Sequence, residues 1–487
     1  MSNFFKYLKY FLFLLLFLCI ISSNTFFNNL EPYDELWNFQ NVLKMYNGNT
    51  IYTESNVIIT PLFFEIGNFF LNIFGDNINS FRIYNVCIYS LLFLQIFLIF
   101  KQLGIKADFG ILYTSLIISC CYSVIAGGAN YNTLAYLFIC YGISHYIKHH
   151  DSKYFNFFEG IIIYLILFTK QNLGIYYILG TFIFELWNNK SFKKSIILFL
   201  KRFIPFALLT IITFICMFIK GNLSDFFNIA FGGIFDFGSS NLVTENLIYA
   251  ANYIFIIFLF VYFLKKNFIP KEHIKNAKLL FCISFFTTLS IFPIVNTTHM
   301  MFSYLTFYIL LFYILHFTFI GEIFCTKKHF LILNMCSFLA LICIVLHITV
   351  YHFPNFENFG KISKNSHFYN VPIEQDLKNK IEEMSKYILK RNSEGVDVIL
   401  VTSDAAYTMI NLNQNHKYFD LAFNGNLGYN GINKLIENIN NSTKTEFLIY
   451  TNEEDMFWQE SLEIREYIIN NLDKTGEISN YSIYYKD

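Results

Sequence analysis

The sequence predicts a mainly α, polytopic helical membrane protein carrying a C-terminal α/β domain outside the membrane. Three observations predict it. The 487-residue chain is 55% hydrophobic and only 14% charged, with 61 Phe. A soluble globule is about 45–50% apolar and about 25% charged. Apolar runs long enough to cross a bilayer recur along the chain until about residue 353. After Pro354 the sequence turns polar, charged and periodic. Formal net charge is zero, which argues against a nucleic-acid partner needing a basic patch.

A membrane-crossing helix needs roughly 20 apolar residues, and about eleven stretches qualify. They lie near 7–24, 82–100, 108–126, 131–147, 155–170, 172–188, 203–220, 246–264, 277–295, 301–321 and 330–352. The fifth and sixth are short and nearly touch. The first reads as an uncleaved helix, because Ser22-Ser23-Asn24 makes a poor cleavage site. Basic residues order these spans, since cytoplasmic loops collect Lys and Arg. With the N-terminus cytoplasmic, alternate loops carry Lys101 and Lys106, Lys148 and Lys153, Lys190 to Arg202, Lys265 to Lys278, and Lys327 with Lys328. The opposite loops carry Lys44, Arg82, Lys170 and Lys220. That pattern predicts a cell-membrane protein, bounded by membrane lipids, whose tail is extracytoplasmic.

The tail, 354–487, reads as a small α/β domain. Val396–Thr402 suits a buried strand, followed by a helix from Asp404. A glycine- and asparagine-rich loop, Phe423–Gly431, precedes another helix. A strand at Glu446–Tyr450, a helix near Asp455–Asn471 and a strand at Tyr481–Tyr485 complete it. Ser403 and Asp404 read as helix-cap residues. The ten Cys carry no CxxC spacing and lie mostly in apolar runs, where they pack as small hydrophobes.

The first extracytoplasmic loop, 25–81, is too long for a simple connection. It contains amphipathic stretches. Leu36, Phe39, Val42, Leu43 and Tyr46 recur at helical spacing, as do Leu62, Phe63, Ile66, Phe69, Phe70 and Ile73 after Pro61. Three acids, Glu31, Asp34 and Glu35, stand at its start. The ordered set Asp34-Glu35, Gly48, Ile51-Tyr52 and Pro61 resembles the first outside loop of the GT-C superfamily, as in the protein O-mannosyltransferase and aminoarabinose transferase-like families. The resemblance weakens along the multi-span core to about residue 320.

That resemblance implies a membrane glycosyltransferase, inverting in stereochemistry, that moves a sugar from a polyprenyl-phosphate donor to a glycan, lipid or protein acceptor of the cell envelope. It puts Asp34 in the role of general base, with Glu35 beside it to position the acceptor or to ligate a metal. The resemblance fixes no cofactor; a divalent cation, Mg or Mn, would suit such a pair. The leaving phosphate wants cations or oriented donors. Lys170, His299 and Arg82 are the candidates. Asn130, Asn132, Gln171 and Asn296, in the polar turns of the same face, are candidates for sugar or acceptor hydroxyls. The loop from Gly221 to Glu245 has the length and composition of a lid. The rival readings are a transporter or flippase for lipid-linked sugars, or a polymerase. Transporters tend to show paired repeats and charges buried mid-span, and the sequence displays neither.

Overall fold

The computed structural model describes residues 34–122, 128–189, 191–240, 271–294, 297–320, 366–414, 425–456 and 460–487, with scattered positions at 15–30, 254–270 and 422. The eleventh expected span, most of the first and eighth, and Asn296 lie outside the described residues.

Two helices build the first loop. α1 (Asp34–Tyr46) buries Leu36, Phe39, Val42 and Leu43, the apolar spacing expected of it. α2 (Leu62–Phe74) follows Pro61, and it buries Phe63, Phe64, Gly67 and Leu71 while Phe69, Ile73 and Phe74 stay exposed. One apolar face is thus packed and the other is left for an interface.

The bundle follows. α3 (Ile78–Gln102) starts at Asn77, whose side chain accepts the Ser80 amide at 3.2 Å. α4 (Ala107–Tyr122), α5 (Tyr131–His149), α6 (Phe155–Thr169) and α7 (Gln171–Asn189) succeed it. α8 (Phe192–Ile219) begins well before the expected span, at Ser191, which accepts the Lys194 amide at 3.4 Å. α9 (Ile274–Thr287), α10 (Thr297–Ser303) and α11 (Leu305–Leu315) complete the described bundle. Three described helical stretches, Ile78–Gln102, Phe192–Ile219 and Lys271–Ile291, are long and apolar enough to cross a membrane. α8 leaves Leu200, Ile204, Leu208, Ile211, Ile215 and Phe218 exposed. Such an apolar face suits contact with lipid.

At the end of the bundle away from α1, four helices share a buried polar clasp. Arg202 of α8 is 2% exposed and donates to Glu185 of α7 at 2.5 Å, to Asn156 at 3.1 Å, and to Tyr146 of α5. Tyr177 donates to Glu159 of α6 at 2.7 Å. Arg202, expected as a loop cation, is therefore a helix residue whose charge is matched inside the protein.

The tail domain is a four-stranded sheet in the order β1-β2-β4-β3, where β1 is Asp397–Leu400, β2 Thr445–Tyr450, β3 Asp473–Ile478 and β4 Tyr481–Lys486. β1 and β2 run parallel, and the other pairs are antiparallel. α12 (Gln375–Ser393), α13 (Ala405–Leu412), α14 (Gly431–Asn441) and α15 (Leu462–Asn471) cover it. β3 was not expected. Its sequence, DKTGEI, carries no apolar alternation, because it is an exposed edge strand. The cap reading of Ser403 and Asp404 is corrected. Ser403 donates to Glu460 at 2.8 Å, and Asp404 accepts Lys380, Tyr481 and Thr402, each at 2.7 Å.

The domain docks on the first loop. Tyr407 donates to the Leu30 carbonyl at 3.2 Å, the Ile78 amide to the His367 carbonyl at 3.0 Å, and Asn47 to Asn413 at 2.8 Å. The expected lid is helical from Leu223 to Ser240. It is held between bundle and tail domain. Gly425 and Gly428, at φ +97° and +80°, bring the glycine-rich loop onto Asn228, Ile229 and Phe237, so closely that a Cβ at Gly425 would overlap Phe237.

Candidate active site

Asp34 is the first residue of α1, where a carboxylate interacts favourably with the helix dipole. Its neighbour Glu35 is 1% exposed and turned the other way. Arg82 of α3 grips it bidentately, Nε to Oε1 at 2.7 Å and Nη2 to Oε2 at 3.0 Å. The same guanidinium donates to the carbonyls of Phe26, Asn28 and Asn29 at 3.3, 3.1 and 3.4 Å. Arg82 is thus fully buried, and it fixes the chain entering α1 instead of facing a ligand.

The turn before α5 closes onto this helix. A Cβ at Gly128 would lie 2.6 Å from Glu35 Cγ, so only glycine allows the approach. The approach delivers Asn130-Tyr131-Asn132. Asn130 accepts the Asn132 amide at 2.7 Å, capping α5, and its Nδ2 reaches Asp34 Oδ2 at 3.4 Å. Asn132 accepts a hydrogen bond from the Lys170 ammonium. Lys170 Nζ also lies 5.4 Å from the centre of the Tyr131 ring.

Lys170 is the one residue between α6 and α7, in an extended conformation at φ −153°, ψ 110°. Burial lowers its ammonium to about 8, partly offset by attraction to Asp34. Asp34 stays open to water, yet the protein packed around it displaces enough solvent to raise its carboxyl, while Lys170 pulls it back down. His299 of α10 faces the same cation. Burial, then repulsion from Lys170, lowers its imidazole to about 4, so it is neutral near pH 7.

The structure therefore brings Asp34, Asn130, Asn132, Lys170 and His299 together. It employs others differently. Arg82 and Glu35 pair with each other. Gln171 donates to the carbonyls of Ile58 and Ala230 at 2.7 and 3.0 Å, tying the first loop and the Leu223–Ser240 segment to α7. Tyr131 was not singled out from sequence, although it sits between the two asparagines that were.

With Glu35 committed to Arg82, a divalent ion would find Asp34 and amide oxygens as ligands. Mg and Mn favour carboxylate-rich oxygen sets, so the fit is poor and no step below is routed through a metal.

Bundle, built first loop and docked α/β domain together give the chain the fold of the GT-C membrane proteins. No family model matches the sequence, and no curated protein matches it. Among solved structures, the chain is similar to ArnT from Cupriavidus metallidurans in the apo state, with a TM-score of 0.57 and 10% identity over 98% of this chain and 97% of that one. The same ArnT bound to undecaprenyl phosphate matches at a TM-score of 0.57 and 11% identity, with the same coverage. The archaeal oligosaccharyltransferase AglB from Archaeoglobus fulgidus, in complex with an inhibitory peptide and a dolichol-phosphate, matches at 0.47 and 9% identity over 84% of this chain and 64% of that one.

Proposed function

We propose that the protein transfers a sugar from a polyprenyl-phosphate carrier to an extracytoplasmic acceptor, with inversion. The observation that carries this reading is the chain Asp34–Asn130 and Asn132–Lys170, which sets a carboxylate and a cation side by side at one end of the bundle. The likeness to ArnT bound to undecaprenyl phosphate supports the choice of a lipid-phosphate donor.

In this reading Asp34 removes the proton of an acceptor hydroxyl. The freed oxygen attacks the anomeric carbon from the face opposite the phosphate. A carbon–oxygen bond to the acceptor forms, and the bond between anomeric carbon and phosphate oxygen breaks. The phosphate leaves with the electron pair, its charge met by the Lys170 ammonium and by a hydrogen bond from neutral His299. Arg82, Glu35 and Gly128 hold the start of α1, so they act on the reaction by fixing Asp34. Gln171 acts from further off, by tying the first loop to α7. Asn130 and Asn132 hold the base and the cation.

The test is donor consumption. Purified protein and Asp34→Asn are incubated with membrane lipid extract, and polyprenyl-phosphate sugars are counted by mass spectrometry. Loss of one lipid-linked sugar with the native protein alone is the expected result. Equal loss with both proteins removes Asp34 from its role. No loss with either, whatever acceptor extract is added, removes the transferase reading.

A further inference from the structure

Two buried asparagines near this site make no side-chain hydrogen bond among the described residues. Asn38 is 0% exposed and Asn56 is 1% exposed. In each, both the amide nitrogen and the amide oxygen lack a hydrogen-bond partner among the described residues. Leaving such groups unpaired in a dry interior costs stability, and folded proteins rarely tolerate it without a reason.

Their positions supply a reason. Asn38 lies four residues after Asp34 on α1, so the two share one stripe of the helix and sit about 5–6 Å apart at Cβ. Asn56 belongs to the strap leading to Pro61. That strap runs along the α6–α7 junction. Thr60 donates to the Leu167 carbonyl at 2.8 Å, and the Ile58 carbonyl accepts Gln171 at 2.7 Å. Lys170 lies between Leu167 and Gln171. One of these carboxamides therefore lies a helical turn from the proposed base, and the other lies two residues from the strap contact that flanks the proposed phosphate-binding cation.

The chemistry of the unpaired atoms selects a ligand class. An anion would use only the two N–H₂ groups, and a cation only the two carbonyl oxygens. A neutral polyol uses both, because each hydroxyl donates and accepts. We propose that Asn38 and Asn56 bind hydroxyls of the donor sugar and set which lipid-linked sugar the protein takes. This rests on the transferase reading above. Both side chains are sealed from water here, so the strap must shift for the sugar to meet them, and they find partners only when it has.

The test separates recognition from packing. Asn38→Leu and Asn56→Leu keep the branched shape and remove the unpaired groups. Thermal unfolding is measured for both, along with consumption of the polyprenyl-phosphate sugars in membrane lipid extract. The expected result is melting at or above that of the native protein, with the preferred donor consumed roughly 10- to 100-fold more slowly and the preference over other lipid-linked sugars narrowed. Higher melting with unchanged consumption and preference would make the asparagines mere packing and overturn the proposal. Lower melting would mean that they already have partners in the folded protein, which also overturns it. If the native protein consumes no lipid-linked sugar, the transferase reading itself fails and takes this one with it. That case is told apart because it appears in the native protein before any variant is made.

Discussion

The two ends of the bundle hold the same kinds of residue in opposite states. At one end Arg202, Glu185, Glu159, Tyr146 and Tyr177 form a buried set, with bonds of 2.5 Å from Arg202 to Glu185 and 2.7 Å from Tyr177 to Glu159, and with Glu159 Oε2 left without a partner among the described residues. At the other, Asp34 is open to water, and its hydrogen bond to Asn130 is long, at 3.4 Å. A charge network sealed inside the bundle is a poor place for chemistry, because neither water nor substrate reaches its groups. A carboxylate reachable by water beside a cation of lowered pKa is ready to exchange partners. The difference teaches that neither burial of charge nor a single unpaired oxygen such as Glu159 Oε2 marks a candidate site by itself, whereas a carboxylate open to water beside a cation does.

The largest effect should come from Asp34→Asn, which leaves shape intact and removes the proposed base. Transfer should fall about 10²–10⁴-fold, while the melting temperature changes little. A large loss of melting temperature would place Asp34 with the structural groups and erase the contrast. The reverse is expected of Arg202→Met. It leaves Glu185 buried without its cation, at a cost of roughly 3–5 kcal/mol, and activity per folded molecule should stay the same. Unfolding in detergent, scored beside donor consumption on the soluble fraction, checks both.

Lys170 sharpens the comparison through pH. Its ammonium is lowered to about 8 by burial, so it is charged below that pH and loses its proton above it. Donor consumption should therefore decline as pH rises through about 8, with a tight-binding role for the charge appearing in KM for the donor. Asp34 works in the opposite sense. Its raised carboxyl must lose a proton to act, so the acid limb should lie above the ordinary aspartate range. Lys170→Gln should flatten the alkaline limb and cost roughly 10- to 100-fold, as expected for a lost charge-assisted bond. A limb that survives in this variant belongs to another group.

Much of this arrangement was legible in the sequence, for physical reasons that also explain the gaps. Helices α3 to α7 follow from apolar length, and α1 and α2 from amphipathic spacing, since both signals are local. Lys170 stood out because a cation at membrane depth is costly, Asn130 and Asn132 because they stand in an unusually polar turn, and Asp34 because it opens the ordered first-loop pattern that resembles the GT-C superfamily. Arg82 was misplaced because its partner, Glu35, lies 47 residues away in sequence, and no local pattern reveals such a pairing. The start of α8 was missed for a related reason. The basic run Lys193 to Arg202 looks like a loop until Glu185 and Tyr146 are found beside Arg202. Asn38 and Asn56 gave no signal at all, because an unpaired amide is visible only once its surroundings are known.

The smallest expected effect tests the finest part of the contrast, the hold of Asn132 on Lys170. Asn132→Ala removes the oxygen that accepts from the ammonium, while the Asn132 amide, which caps through Asn130 at 2.7 Å, is unchanged. The folded protein should therefore lose little stability. The bond favours the charged form of Lys170, so its loss should lower the ammonium further and move the alkaline limb to lower pH, with about a tenfold fall in donor consumption. Asn132→Asp should move the limb the other way, because a carboxylate stabilises the ammonium. It should nonetheless raise KM for the donor, since that carboxylate would repel the phosphate the cation is proposed to meet. Opposite shifts of the limb, with losses of donor consumption in both variants, would mark Asn132 as a positioning residue. Equal melting losses with an unmoved limb would make it part of the packing, like the clasp at the far end.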